Sequence, residues 1–207
     1  LWEAERRGVE VIAYDCRVTR EGMEIDQPVP VKLSPLEVMA ERLLAWYDAG
    51  RRILPWREKP TPYHVWLSEI MLQQTRVEAV KPYYDRFMER LPDIPALAAA
   101  DEETLLKLWE GLGYYNRVRN LKKAAVRIMA EYGGIMPGTR KELMELPGIG
   151  SYTAGAVASI AYGRREPAVD GNVLRVFARI LCDGRDMTQP AVRRQMEERI
   201  GQQMPAD

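Results

Sequence analysis

The chain has 207 residues, 46% of them hydrophobic and 29% charged, which is enough to bury a real core as one domain or two small ones. Thirty basic and thirty acidic side chains cancel, which argues against a general polyanion binder, and no apolar run approaches the roughly twenty residues of a membrane span. Only Cys16 and Cys182 are cysteines, too few for a disulfide framework or for four thiolates around a metal, so a reducing, intracellular setting is expected.

Residues 1 to 33 alternate weakly at Val9-Glu10-Val11-Ile12-Ala13-Tyr14 and could turn at Arg20-Glu21-Gly22-Met23, which fits a small hairpin or a loose extension without an assigned role. The chain opens on Leu and stops at Met204-Pro205-Ala206-Asp207 without a closing signal, so it is expected to be a piece of a longer protein. Helical punctuation begins at Ser34-Pro35-Leu36-Glu37: an N-cap, a proline at the first helical position and a capping-box glutamate. Met39, Leu43, Trp46 and Tyr47 follow at helical spacing and Gly50 is the stop. Further helices are predicted near 62 to 73, 76 to 90, 101 to 110 and 117 to 132, each bounded by Pro, Gly or Asp. Thr139-Arg140-Lys141-Glu142 repeats the capping box, and 151 to 162, 171 to 182 and 189 to 200 complete an all-α body without internal repeats.

Charge is unevenly spread. Residues 1 to 50 carry six basic and ten acidic groups, whereas 51 to 207 carry 24 and 20. Arg117, Arg119, Lys122, Lys123 and Arg127 occur together with no acid among them; read alone, the run is a solvated helix face.

Leu146-Pro147-Gly148-Ile149-Gly150 breaks two helices with a hairpin too tight for bulky side chains. Glycines there let backbone N–H groups meet an anion, with phosphate the natural candidate, although an ordinary αα-corner uses the same residues. Glu69, in Val65-Trp66-Leu67-Ser68-Glu69-Ile70-Met71-Leu72, is either on the solvent face of an amphipathic helix or buried with a raised pKa. Asp170, before Gly171-Asn172 and an apolar helix, reads as an N-cap; the same position favours a charged carboxylate.

The hairpin, with Pro167-Ala168-Val169-Asp170-Gly171-Asn172-Val173-Leu174-Arg175-Val176 downstream, resembles the helix-hairpin-helix DNA glycosylase superfamily. Leu54-Pro55-Trp56-Arg57, the stretch from Val65 to Gln73-Gln74-Thr75, and Gly111-Leu112-Gly113-Tyr114-Tyr115-Asn116-Arg117 look like its adenine DNA glycosylase (MutY) branch. The resemblance runs from about 51 to 200 in family order. It implies a two-lobed all-α fold with the active-site cleft between lobes: a six-helix domain at 54–164 carrying the hairpin, and a second lobe from 34–53 plus 165–207.

It also implies base-excision chemistry on double-stranded DNA, removing adenine opposite 8-oxoguanine or guanine from an extruded nucleotide. Glu69 would be the catalytic acid and base and Asp170 the anion beside the sugar. Trp56, Arg57, Leu72, Tyr152 and Asn172 would line the base pocket. Gln74, Tyr114, Arg117, Leu146, Gly148, Ile149 and Gly150 would meet DNA. The related endonuclease III branch carries a Schiff-base lysine where Tyr152 stands, so hydrolysis without strand cleavage is expected, by a monomer. A pyrimidine glycosylase/lyase and a catalytically silent DNA-binding remnant are the competing readings. His64, the one histidine, is expected in a hydrogen-bonding role. Family members continue into a four-cysteine segment binding a 4Fe-4S cluster; those cysteines do not occur in these residues, so no cofactor or metal is expected to be bound by them.

Overall fold

A computed structural model describes residues 16–19, 22–25 and 35–204. Most of the N-terminal stretch discussed above lies outside the described residues, but two short strands do not. β1 (Cys16–Thr19) and β2 (Gly22–Ile25) pair antiparallel, with Cys16 opposite Ile25 and Thr19 opposite Gly22. The remainder is helical: α1 (Pro35–Gly50), α2 (Pro55–Glu58), α3 (Pro62–Leu72), α4 (Val77–Arg90), α5 (Ile94–Ala99), α6 (Glu102–Trp109), α7 (Asn116–Tyr132), α8 (Arg140–Met144), α9 (Ser151–Ala156), α10 (Gly171–Ile180) and α11 (Pro190–Gln203). Among the described residues no helix is long and apolar enough to cross a membrane.

Local chemistry explains most boundaries. Thr61, Asp93, Asp101, Thr139 and Asp170 each cap a helix, their side-chain oxygens accepting a backbone N–H of the first turn. Gly133, at φ +61°, closes α7 in the left-handed conformation. The pattern of stops and starts overlooked α5, whose Asp93 accepts from Ala96 N–H at 2.8 Å, and the single turn of α2. It also ran α9 on to residue 162. Instead α9 widens into a π-helical turn, Val157–Ala161. Ser159 Oγ donates back to the Gly155 carbonyl at 2.8 Å, the kind of bond that competes with an α ladder.

One core runs from Leu54 to Ala158, with Trp66, Phe87, Leu97, Trp109 and Ile128 fully buried. α3 lies at its centre, packed against α2, α4, α7, α9 and the π turn. Each large side chain buried there is worth about 1.5–3 kcal/mol of transfer free energy. A separate, smaller cluster joins Val169, Leu174, Met196 and Ile200, flanked by Phe177 and Leu181. α1 packs on α11 beside it. Arg140 bridges the two clusters: it reaches Glu166 at 3.6 Å and Glu197 at 3.4 Å and bonds Ser151 Oγ, at the start of α9.

The acid-free run in α7 is largely consumed within the fold. Arg119 pairs with Glu102 at 3.0 Å and Arg127 with Glu131 at 2.8 Å, while Lys122 donates to the Ala98 and Ala100 carbonyls at the end of α5.

Candidate active site

α3 has no polar face. Tyr63, Val65, Trp66, Leu67, Ser68, Ile70 and Met71 are buried around it, and the Ser68 hydroxyl is absorbed by the Val65 carbonyl at 2.9 Å. Glu69 is the helix's one acid, half-buried where the helix borders a cleft rather than on an open solvent face. Burial pushes its pKa above the ordinary carboxylate range. A hydrogen bond from Tyr152 and the charge of Arg57 pull against that rise, and nearby Asp170 adds to it. The Tyr152 hydroxyl is itself pushed far up, first by burial and then by the Glu69 charge, so it stays a proton-bearing donor.

Asp170 sits in extended backbone, φ −102°, at the start of α10. Its Oδ1 accepts from Val173 N–H at 2.8 Å and its Oδ2 from Asn172 Nδ2 at 3.1 Å. The carbonyl just before it, on Val169, accepts from Arg193 Nη2 at 2.9 Å. The approach to Asp170 is tight. A Cβ on Gly155 would stand 2.5 Å from the Pro167 carbonyl oxygen, so only glycine lets α9 pass the segment that delivers the carboxylate. Gly155→Ala should therefore shift residues 167–170 and cost about 1–3 kcal/mol, which thermal melting would read as a drop of roughly 2–4 °C per kcal/mol. Activity should fall by more than the stability loss explains.

These groups meet in one cleft of about 860 Å³, lined by Trp56, Arg57, Glu69, Leu72, Gln74, Tyr152, Asp170 and Asn172. That volume is in the range of small-ligand sites. Trp56 is buried and held edge-on by Tyr84 at 5.2 Å between ring centres, while Arg57 is exposed with its guanidinium 5.5 Å above the Tyr47 ring. Tyr47, Arg51 and Arg52 also line the cleft, from the end of α1 and just beyond. Sequence reasoning left them unassigned, although consecutive arginines one residue before Leu54-Pro55-Trp56 were a usable signal. His64 Nδ1 pairs with the Lys59 carbonyl at 2.7 Å.

Gln74 and Tyr114 are exposed on neighbouring loops, both in left-handed backbone at φ +57° and +49°. Such conformations cost of order 1–3 kcal/mol each in non-glycine residues. Three other residues expected at a DNA surface are placed differently. Leu146 and Ile149 are core residues, 2% and 5% exposed, because the hairpin turns its apolar side chains into the main core; Ile149 N–H is also spent, on the Leu146 carbonyl at 3.2 Å. Arg117 is half-buried, with its guanidinium engaged by backbone carbonyls. Gly148 and Gly150 do remain exposed. Gly148 adopts φ +77°, and a Cβ there would stand 2.7 Å from Asn120 Cβ. No side chain caps α9 at Gly150.

Among the described residues no group of three or more His, Cys, Asp or Glu is placed to hold a metal ion. Two cysteines in the whole sequence cannot supply the four thiolates of a 4Fe-4S cluster, so these residues do not fit that group.

The family model described as HhH-GPD superfamily base excision DNA repair protein matches residues 67–202. The adenine DNA glycosylase of Mus musculus is 47% identical over 159 residues, covering 72% of this chain and 31% of the mouse protein. That of Buchnera aphidicola subsp. Baizongia pistaciae is 45% identical over 143 residues, 69% of this chain and 41% of its own length. The chain thus spans about a third of the length of the mammalian relatives it matches. Among solved structures, a thermostable thymine-DNA glycosylase superposes with a TM-score of 0.74 at 27% identity, covering 83% of this chain and 79% of that one. A trapped endonuclease III–DNA covalent intermediate shares the fold, with a TM-score of 0.68 at 24% identity over 84% of this chain and 80% of that one.

Proposed function

Because this chain belongs to the HhH-GPD superfamily of base excision DNA repair proteins, we propose that it is the catalytic part of an adenine DNA glycosylase. It hydrolyses the N-glycosidic bond of adenine mispaired with 8-oxoguanine or guanine in duplex DNA and leaves an abasic site. The observation that carries this reading is that Glu69, with its raised pKa, and Asp170, fixed at a helix start, line the same cleft.

Neither carboxyl can reach a base inside the duplex, so the nucleotide is turned out into the cleft, at a cost of a few kcal/mol. Trp56, Leu72, Arg57 and Asn172 surround the base. Gln74 and Tyr114 occupy the opened stack, and the exposed glycines of the hairpin let the backbone approach a phosphate. Glu69 gives its proton to the imidazole-ring nitrogen of adenine, and the glycosidic bond breaks with its electron pair going to the base. Asp170 stabilises the oxocarbenium-like sugar. Water then attacks the sugar, and the Glu69 carboxylate takes up the proton it releases. Tyr152, donating to Glu69, holds the acid in place. The enzyme acts as a monomer.

Alkali-dependent nicking of duplex containing adenine opposite 8-oxoguanine tests the assignment. Cleavage by the wild type, lost in Glu69→Gln and Asp170→Asn, supports it; binding with no cleavage would indicate a silent DNA-binding remnant. Tyr152 offers no amine to the sugar, and no lysine follows Lys141 in the sequence. Borohydride should accordingly trap little covalent complex under conditions where base release is complete. Abundant trapping, or release of an oxidised pyrimidine, would favour a glycosylase/lyase.

A further inference from the structure

We propose that Arg117 is a positioning residue that locks the Gln74 and Tyr114 loop tips at one spacing beside the cleft, an inference that rests on the glycosylase reading above. The carbonyls immediately before the two strained residues are held by the same guanidinium: Nη1 donates to Gln73 O at 2.6 Å and Nη2 to Gly113 O at 3.2 Å. Nη1 also takes the Ile70 and Met71 carbonyls at 2.9 and 3.1 Å, at the end of the helix that carries Glu69. Nη2 takes Leu112 O at 3.1 Å. A cation at the C-terminus of a helix meets the negative end of its dipole and satisfies carbonyls that have no partner inside the helix. The guanidinium lies 5.4 Å from the Trp109 ring centre and 5.6 Å from that of Tyr114, so the exposed tyrosine rests on the group that holds its own loop.

Between the loops is a cavity of about 320 Å³, lined also by Tyr115 and Asn116 and adjoining the larger cleft through Gln73 and Gln74. One planar fork therefore sets the positions of a polar tip and an aromatic tip at the mouth of the site before any DNA arrives. Lysine keeps the charge but not the fork, and cannot reach both loops in the same geometry.

Arg117→Lys separates this role from general structural support. Hydrogen exchange on the DNA-free protein should become faster in peptides covering both 73–75 and 113–116, with α4 unchanged. Single-turnover base release should fall by about 10²-fold on duplex containing adenine opposite 8-oxoguanine, as for a misplacement of about 1 Å. On adenine in an unpaired bulge, where extrusion costs less, the loss should be roughly tenfold smaller. Equal fractional loss on both substrates, loosening of one loop alone, or loosening throughout the protein would overturn the proposal. Should the variant not fold, the wild type still decides: Thr75 and Arg117 amides, bonded to the Leu72 and Tyr114 carbonyls, should share one opening equilibrium, and protection differing by more than about tenfold refutes the lock. If the wild type releases base from neither substrate, the glycosylase reading fails while the exchange experiment still tests Arg117.

Discussion

Glu69→Gln is expected to bind mispaired duplex as tightly as the wild type and to release adenine at least 10²-fold to 10⁴-fold more slowly, about the worth of general acid catalysis. The substitution keeps the shape of the side chain and its capacity to accept from Tyr152, but has no proton to give to a leaving purine. Quench-flow measurement of base release under single-turnover conditions, beside a binding titration, separates the two effects. Full-rate release by the variant would remove the acid from the mechanism.

The same residue links activity to pH. Its pKa is raised chiefly by burial, so the folded protein holds the proton to higher pH than the unfolded chain does. Between the two values the native state binds more protons, and by linkage stability falls as pH rises. The wild type is thus most secure below the unfolded-state pKa and loses that contribution as pH climbs through the folded-state one. Base release should decline over the same upper range, because the ionised form is not a donor. Glu69→Gln has nothing to ionise, so its melting temperature should exceed that of the wild type at neutral and alkaline pH and approach it at low pH. A group that destabilises its own fold near neutrality is the trade expected of the acid proposed for Glu69.

Much of this was legible in the chain because the signals are local. Pro62 and Asp101 as bounding residues, with the caps at Thr139 and Asp170, predicted helix starts to within a residue or so. Glu69 was conspicuous as an acid in an apolar run, but linear neighbours could not choose between a solvent face and a buried one; that depended on α4, α7 and α9 closing around α3. The side chains of Arg117, Leu146 and Ile149 turn inward for reasons that are equally non-local. A cation in an acid-free run reads as part of a solvated helix face, and nothing in the spacing of Arg117 reveals that its partners include carbonyls more than forty residues away. Leu146 and Ile149 belong to a hairpin whose glycines are exposed and whose apolar side chains are not. Tyr47, Arg51 and Arg52 join the cleft only through the tertiary course of α1.

Asp170→Asn separates charge from capping more cleanly than any other change at the site. Asparagine caps a helix about as well as aspartate, so the bond to Val173 N–H at 2.8 Å should survive and α10 should keep its start. The melting temperature should move little. In the proposed reaction, what disappears is the negative charge facing a sugar that turns cationic as its bond to adenine lengthens, and preorganised charge of that kind is worth about 10²-fold to 10³-fold. Asp170→Ala should lose the same rate and additionally cost about 0.5–2 kcal/mol of stability through the missing cap. If the asparagine variant turns over like the wild type while the alanine variant melts early, Asp170 is a structural cap alone, and the paired-carboxylate chemistry falls with it. If both lose activity and only alanine loses stability, the carboxylate acts on the substrate as an anion.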